Sequence, residues 1–150
     1  MLILTPYFVP PETLIAALRH ASFRGVDVRV IVPSENNHST IRLASQALYT
    51  SLLTAGVRIF ERKPPFIHAK AMVIDSSIAF IGSVNLDPRS LVFNYETNLV
   101  VFDATFAERL KRILYNDQIE SKEIFYAEWR QRSKWKQLRE NFFNLFHPIA

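Results

Sequence analysis

The sequence predicts an α/β protein: a mixed β-sheet flanked by helices. Three observations lead there. Short apolar, β-branched runs alternate with amphipathic stretches of helical period through the first sixty residues. Two apolar runs separated by Asp75-Ser76-Ser77 read as a hairpin. From Ala104 the hydrophobic period becomes helical again. A chain of 150 residues favours one domain, 1–150, and a 49% hydrophobic content is enough for a core. The net charge of +4 comes from 18 basic and 14 acidic residues. It suits an anionic partner, lipid headgroup or nucleic acid, and equally an ordinary basic domain. Without cysteine, disulfides and thiolate chemistry are excluded. No run of membrane-span length and no leader peptide is recognisable.

The elements follow in order. Met1–Leu4 is apolar, so the chain begins inside a strand. Pro11 opens a helix whose stripe is Leu14, Ile15, Leu18 and Ala21, and Gly25 stops it. Val26–Val32 is a strand buried on both faces. Strand, helix, strand implies a right-handed crossover and a parallel pair. After the polar loop Ser34–Ser39, a second helix runs from about Thr40 to Ala55 with Ile41, Ala44, Leu48 and Leu52 on one face. Gly56 ends it, and Val57–Phe60 is the next strand. Arg62-Lys63-Pro64-Pro65 is a basic turn into the hairpin of Ile67–Ile74 and Ile78–Ser83. An eleven-residue connection, LDPRSLVFNYE, leads to a strand over Thr97–Phe102. In the following helix Phe106, Leu110, Ile113 and Leu114 should face inward, with Asp103 placed to cap its start. The last stretch, about 122–150, reads as a basic aromatic helical tail. Phe125, Trp129, Trp135, Leu138, Phe142 and Phe146 form its stripe, interleaved with Arg130, Arg132, Lys134, Lys136 and Arg139. The stripe is expected to pack on the domain's own sheet or on a partner half, leaving contact with an anionic membrane surface to the aromatic ends.

The hairpin carries the chemistry. His68 and Lys70 are two apart, so on a strand their side chains leave the same face. The return strand brings Ser83 and Asn85 back beside them. An imidazole, an ammonium, a hydroxyl and an amide at one point suit a tetrahedral oxyanion. Asp75 has the opposite parity to His68 and falls in the turn, about 20 Å along an extended strand. It is expected at the closed end, accepting backbone N–H bonds. Glu96 starts near Ser83 if the Thr97–Phe102 strand pairs antiparallel with Ile78–Ser83. Glu96 is then the candidate to orient His68, or alternatively to ion-pair with Lys70 or Arg89. No His and carboxylate cluster has metal spacing, and no metal or cofactor is expected. His38 reads as a solvated loop histidine.

His68-x-Lys70-x4-Asp75 followed by Gly82-Ser83-x-Asn85 resembles the HKD motif of the phospholipase D superfamily. TPYFVP, RGVDVRVIVP, SLLTAGVRIF, NLDPRSLVFNYE and the Trp-bearing tail ending FFNLFHPIA look like the second half of a bacterial cardiolipin synthase. The resemblance covers essentially the whole chain. It implies one phospholipase D-like half-domain of the second-half type, with an incomplete N-terminal edge. Such synthases carry two HKD motifs and N-terminal membrane helices; here there is one motif and no such helix. The loop at Asn36–Ser39 also often has an aspartate where His38 stands.

The resemblance further implies a metal-free transphosphatidylation through a phosphohistidine at the bacterial cell membrane. Phosphatidylglycerol would be donor and acceptor, and glycerol would leave. His68 and Lys70 would be catalytic. Asp75 would be a motif member acting indirectly, and Ser83 and Asn85 would bind the substrate phosphate. The second histidine would come from a missing first HKD half or from a second copy of the chain. Two other readings stay open: a single-motif phosphodiesterase or nuclease acting on nucleic acid as a homodimer, and an inactive truncated fragment.

Overall fold

The computed structural model describes residues 1–37 and 39–144. Seven strands, β1 (Leu2–Leu4), β2 (Arg29–Pro33), β3 (Arg58–Arg62), β4 (Ala71–Ile74), β5 (Ile78–Gly82), β6 (Asn98–Phe102) and β7 (Ser121–Ile124), form one sheet. Its order is β6-β5-β4-β1-β2-β3-β7. The helices are α1 (Glu12–Phe23), α2 (Ser39–Thr54), α3 (Ala104–Ile119), α4 (Tyr126–Trp129) and α5 (Lys134–Asn144). The strands β1, β2 and β3 are parallel, as the strand–helix–strand pattern implies. The hairpin β4–β5 and the strand β6 are antiparallel, and β4 joins them to β1. The sheet is therefore mixed and flanked by helices.

The first strand does not form the incomplete edge expected of it. It lies in the centre of the sheet, with β2 on one side and β4 on the other. Three apolar residues suffice there because both edges of the strand are paired and Leu2, Ile3 and Leu4 are all buried.

Two cores lie on the two faces of the sheet. Ile15 and Leu18 of α1 and Leu48 and Leu52 of α2 pack on Ile3, Val30, Val32 and Ile59. Ala107, Leu110 and Leu114 of α3 pack on Leu2, Leu4, Ile31 and Phe60. Each fully buried Val, Leu or Ile contributes about 1.5–3 kcal/mol relative to exposure. The two helices α1 and α2 end as their glycines require: Gly25 and Gly56 have φ of +88° and +89°, which a Cβ disfavours. Asp103 caps α3, its Oδ1 accepting the Phe106 N–H at 2.6 Å. Phe106 and Ile113 do not face inward as expected; both are exposed. The small Ala107 lets α3 approach the sheet, and the buried stripe becomes 107, 110 and 114, which turns 106 and 113 away.

The tail is not helical from its start. Ser121–Ile124 adds to the free edge of β3, whose backbone groups need partners. Arg58 holds the new strand bidentately, through Nε and Nη2 to the Glu123 carboxylate at 2.8 and 2.9 Å. Trp129 is buried against Tyr49, with ring centroids 5.0 Å apart. The rest of the stripe does not pack on the sheet: Trp135, Leu138 and Phe142 of α5 are exposed. Phe146 and His38 lie outside the described residues.

One glycine is needed for strand proximity. A Cβ on Gly82 would overlap the Asn98 side chain and the Thr97 carbonyl, where β6 begins. Gly82→Ala is expected to push β5 and β6 apart and to cost about 1–3 kcal/mol. Chemical denaturation checks this; an unchanged midpoint would show that the strand start gives way freely.

Candidate active site

Four strand ends meet at one edge of the sheet. The carboxyl end of β1 runs into Thr5-Pro6-Tyr7, and the antiparallel β4 begins beside it, with Ala71 opposite Leu4. Gly82 ends β5 opposite Asn98 of β6. Ligand sites favour such places, where neighbouring connections diverge. The strand β4 starts only at Ala71, so His68 and Lys70 precede it rather than lie within it. Their pairing survives because the Lys70 carbonyl accepts the Gly82 N–H at 3.2 Å, anchoring the approach to the hairpin.

The Lys70 ammonium sits 3.0 Å from His68 Nδ1 and 3.2 Å from Nε2, and donates to the His68 carbonyl at 2.7 Å. The Tyr7 ring stands edge-on to the imidazole at 5.8 Å, and Phe66 lies at 6.0 Å. His68 opens on a cavity of about 300 Å³ that is also lined by Tyr7, Asn85, Asp87, Arg89 and Ser90. Asn85 donates to Ser90 Oγ at 3.2 Å. Its Oδ1 is buried and, among the described residues, has no partner. Asp87 Oδ1 accepts the Ser90 N–H at 2.7 Å and so fixes Ser90 under Asn85.

Ser83 and Glu96 are brought close, but by a different arrangement from the one expected. Ser83 Oγ accepts the Thr97 N–H at 2.9 Å, stitching β5 to the start of β6. Hydrogen bonds from Ser83, Ser90 and Asn94, and then the charge of Lys70, hold the Glu96 carboxyl below its usual range. Glu96 thus buttresses the hydroxyls and faces Lys70 at longer range, without a contact ion pair to Lys70 or Arg89 among the described residues. Asp75 stands elsewhere. It lies in the β4–β5 turn with φ of 48°, followed by Ser76 at 54°, left-handed values that suit a tight hairpin. It lines a separate cavity with Asp27, Arg29 and Lys111. Its carboxylate accepts no backbone N–H among the described residues. The Ser77 N–H instead closes the turn on the Ile74 carbonyl at 3.1 Å, so backbone alone does what was expected of the side chain.

Tyr7, Asp87 and Ser90 were not singled out from the sequence, and Arg89 was named only as an alternative ion-pair partner of Glu96. A π-helical segment, Arg89–Phe93, turns Ser90 inward within the connection, and nothing periodic announces it. The signal available for Tyr7 was its place just past a strand's carboxyl end.

Desolvation by the atoms around it, then the adjacent Lys70 charge, moves the exposed His68 imidazole below its usual pKa. The ring is therefore neutral at neutral pH, with a lone pair to use. Burial also lowers the Lys70 ammonium, which Glu96 and Asp87 oppose. By NMR titration His68 is expected to protonate below about 6.5, and Lys70→Met to raise that midpoint only in part. The sign follows from linkage. The fold disfavours imidazolium, so this group's contribution to stability is complete above the unfolded pKa and is lost as pH falls toward the folded one. A midpoint above the ordinary histidine value would contradict the arrangement.

A family model described as cardiolipin synthase, PLD-like domain matches residues 1–118. Cardiolipin synthase A of Pectobacterium carotovorum is 38% identical over 149 residues, and that of Yersinia pestis 39% over 150. Each alignment covers 99% of this chain and 31% of the relative, so the chain spans about a third of those proteins. Among solved structures, the phospholipase D family member Nuc of Salmonella typhimurium superimposes with a TM-score of 0.71 at 20% identity, covering 82% of this chain and 80% of that one. The phosphatidylserine synthase of Haemophilus influenzae gives a TM-score of 0.68 at 20% identity, covering 99% of this chain and 41% of that one. The fold is thus that of the phospholipase D superfamily, and the chain belongs to the family of cardiolipin synthase PLD-like domains.

Proposed function

We propose that the chain is one catalytic half of a phosphatidyltransferase that works through a phosphohistidine on His68. The observation that carries the reading is the His68 imidazole held 3.0 Å from the Lys70 ammonium at the mouth of a cavity that Asn85, Asp87, Arg89 and Ser90 also line. A phosphodiester repels nucleophiles by its charge, and a covalent intermediate splits the displacement into two easier steps. A His68 ring nitrogen attacks the phosphorus of phosphatidylglycerol, and the bond to the headgroup oxygen breaks. A second histidine protonates the departing glycerol alkoxide. It then takes the proton from the hydroxyl of a second phosphatidylglycerol, whose oxygen displaces His68 and yields cardiolipin. Lys70 and Asn85 bind the non-bridging oxygens, where negative charge concentrates. Ser83, just past β5, and Glu96, just before β6, position this set, with Glu96 acting on the imidazole through the hydroxyls and Lys70. Asp75, in the hairpin turn, takes no direct part in the chemistry.

One chain carries one such histidine, so the other comes from a first HKD half or a second copy. Uncovered apolar surface beside the cavity supports this. Val92, Phe93 and Tyr95 of the connection are exposed, and the edge strand β6 exposes Leu99 on one face of the sheet and Phe102 on the other, an extent of apolar surface that marks an interaction site. The homodimeric phosphodiesterase acting on nucleic acid is the second reading. It is kept because the net charge of +4 suits a nucleic acid as well as a lipid headgroup.

Thin-layer analysis of products from phosphatidylglycerol, run beside a plasmid-nicking assay and with intact-mass detection of a phosphatidyl adduct, tests the proposal. Cardiolipin with an adduct on His68 supports the first reading. Nicking without lipid turnover supports the second. Silence in both assays, with a phospholipase D-like first half supplied, supports an inactive fragment.

A further inference from the structure

The helix α5 is built the wrong way round for a helix that merely covers a core. At roughly 100° per residue, Trp135, Leu138 and Phe142 share one narrow side. That side points to solvent, with Trp135 77%, Leu138 59% and Phe142 54% exposed. The opposite side carries Glu140, which is wholly buried and bound to Arg132 at 2.9 Å. The pair anchors the helix: Arg132 also reaches Thr50 of α2 and stacks over Trp129 at 4.3 Å. An internal ion pair thus holds an apolar stripe outward, although burial of such a stripe is the ordinary reason for a helix to dock.

The stripe is flanked by cations. Between α2 and α5 lies a cavity of about 310 Å³ lined by Ser39, Arg42, Leu43, Gln46, Lys136 and Arg139. Among the described residues no carboxylate lines it. The single acid of α5 is Glu140, which faces inward. On the far flank of the stripe Lys134 is also exposed. Arg42, Lys136 and Arg139 therefore surround an opening that favours an anion, next to three exposed apolar side chains. Ile41 lines the His68 cavity while its neighbour Arg42 lines this one, so both open around the first turn of α2.

We propose that α5 and the first turns of α2 dock on an anionic lipid bilayer, Trp135, Leu138 and Phe142 entering the acyl boundary and Arg42, Lys136 and Arg139 binding a lipid phosphate. Charge complementarity and the apolar stripe together select this partner. A nucleic acid would use the cations and leave Leu138 and Phe142 in water; a bilayer uses both, with the long basic side chains reaching back to the headgroups. The docking is independent of chemistry at His68, and it would set the catalytic cavity close to the lipid surface.

The test uses the 150-residue chain and sedimentation with vesicles of phosphatidylcholine alone or mixed with phosphatidylglycerol. The chain is expected to prefer the anionic vesicles by at least about tenfold, at roughly fivefold per engaged cation. The double variant Arg42→Gln/Arg139→Gln should lose that preference. The triple variant Trp135→Ser/Leu138→Ser/Phe142→Ser should lose binding to both. All five side chains are exposed, and circular dichroism verifies that the variants stay folded. Emission should shift to the blue on vesicles, and Trp135→Phe should abolish the shift because Trp129 is already buried. His68→Ala should bind as wild type, which separates failure of the catalytic reading from failure of this one. Wild-type sedimentation by both multiple variants would overturn the proposal. So would an unmoved Trp135 emission on bound protein, or a triple variant that alters only the oligomeric state and so marks a protein interface.

Discussion

His68→Ala is expected to abolish transfer, by at least about 10⁴-fold in kcat, since removing a covalent nucleophile elsewhere costs on the order of 10⁶-fold. The geometry leaves no substitute. The side chains nearest the imidazole are an ammonium, a phenol ring and a phenyl ring, and none supplies a neutral nitrogen nucleophile. Asn85 and Ser90 are bound to each other, and an amide is no nucleophile at this pH. His68 is exposed, so its loss should leave the melting temperature nearly unchanged. Lys70→Met should cost less, about 10²- to 10³-fold, as one stabilising donor to the oxyanion is lost. The measurement is single-turnover formation of the phosphatidyl adduct followed by steady-state cardiolipin production, in whatever assembly is competent. Wild-type turnover by His68→Ala would end the reading of this cavity as the catalytic one.

The isolated chain, diluted to a monomer, is expected to run about 10²- to 10⁴-fold below the assembled enzyme, the usual contribution of a general acid. With His68 as the proposed nucleophile, no second imidazole among the described residues lines its cavity. The leaving alkoxide then lacks an imidazolium to protonate it. The exposed apolar residues of the connection, Val92, Phe93 and Tyr95, and of the edge strand β6, Leu99 and Phe102, are where the proposed second half or second copy should pack. Specific activity should therefore rise with protein concentration if two copies assemble, or appear only when a first HKD half is added. Phe93→Ser/Phe102→Ser should weaken either assembly without altering the His68–Lys70 contact. Activity and sedimentation equilibrium measured on the same samples decide between the two routes. Full specific activity from a demonstrably monomeric sample would refute both.

Local chemistry made much of this protein legible before any coordinates. Gly25 and Gly56 announced two helix ends because only a residue without Cβ accepts their positive φ cheaply. The hairpin and its antiparallel pairing with β6 followed from runs of β-branched residues around a polar turn. The two-residue spacing of His68 and Lys70 implied a shared face, and the pair is in contact although the strand begins one residue later. Periodicity reports which residues of one element share a side. It does not report which side finds a partner.

That second question was decided by pairing across the chain. The strand β1 became central because β4 returned beside it, an event sixty-odd residues away in sequence. Ser121–Ile124 became a strand because β3 had an open edge, against a local pattern that reads as helix. The apolar stripe of α5 ended outside because a buried Arg132–Glu140 pair turned the helix over. Ser90 entered the cavity through a π-helical segment in a connection without periodic signal, and Asp87 held it there. The residue types at the site belong to the sequence. Their assembly into one cavity belongs to the tertiary structure, because four strand ends meet there only after the sheet has closed in the order β6-β5-β4-β1.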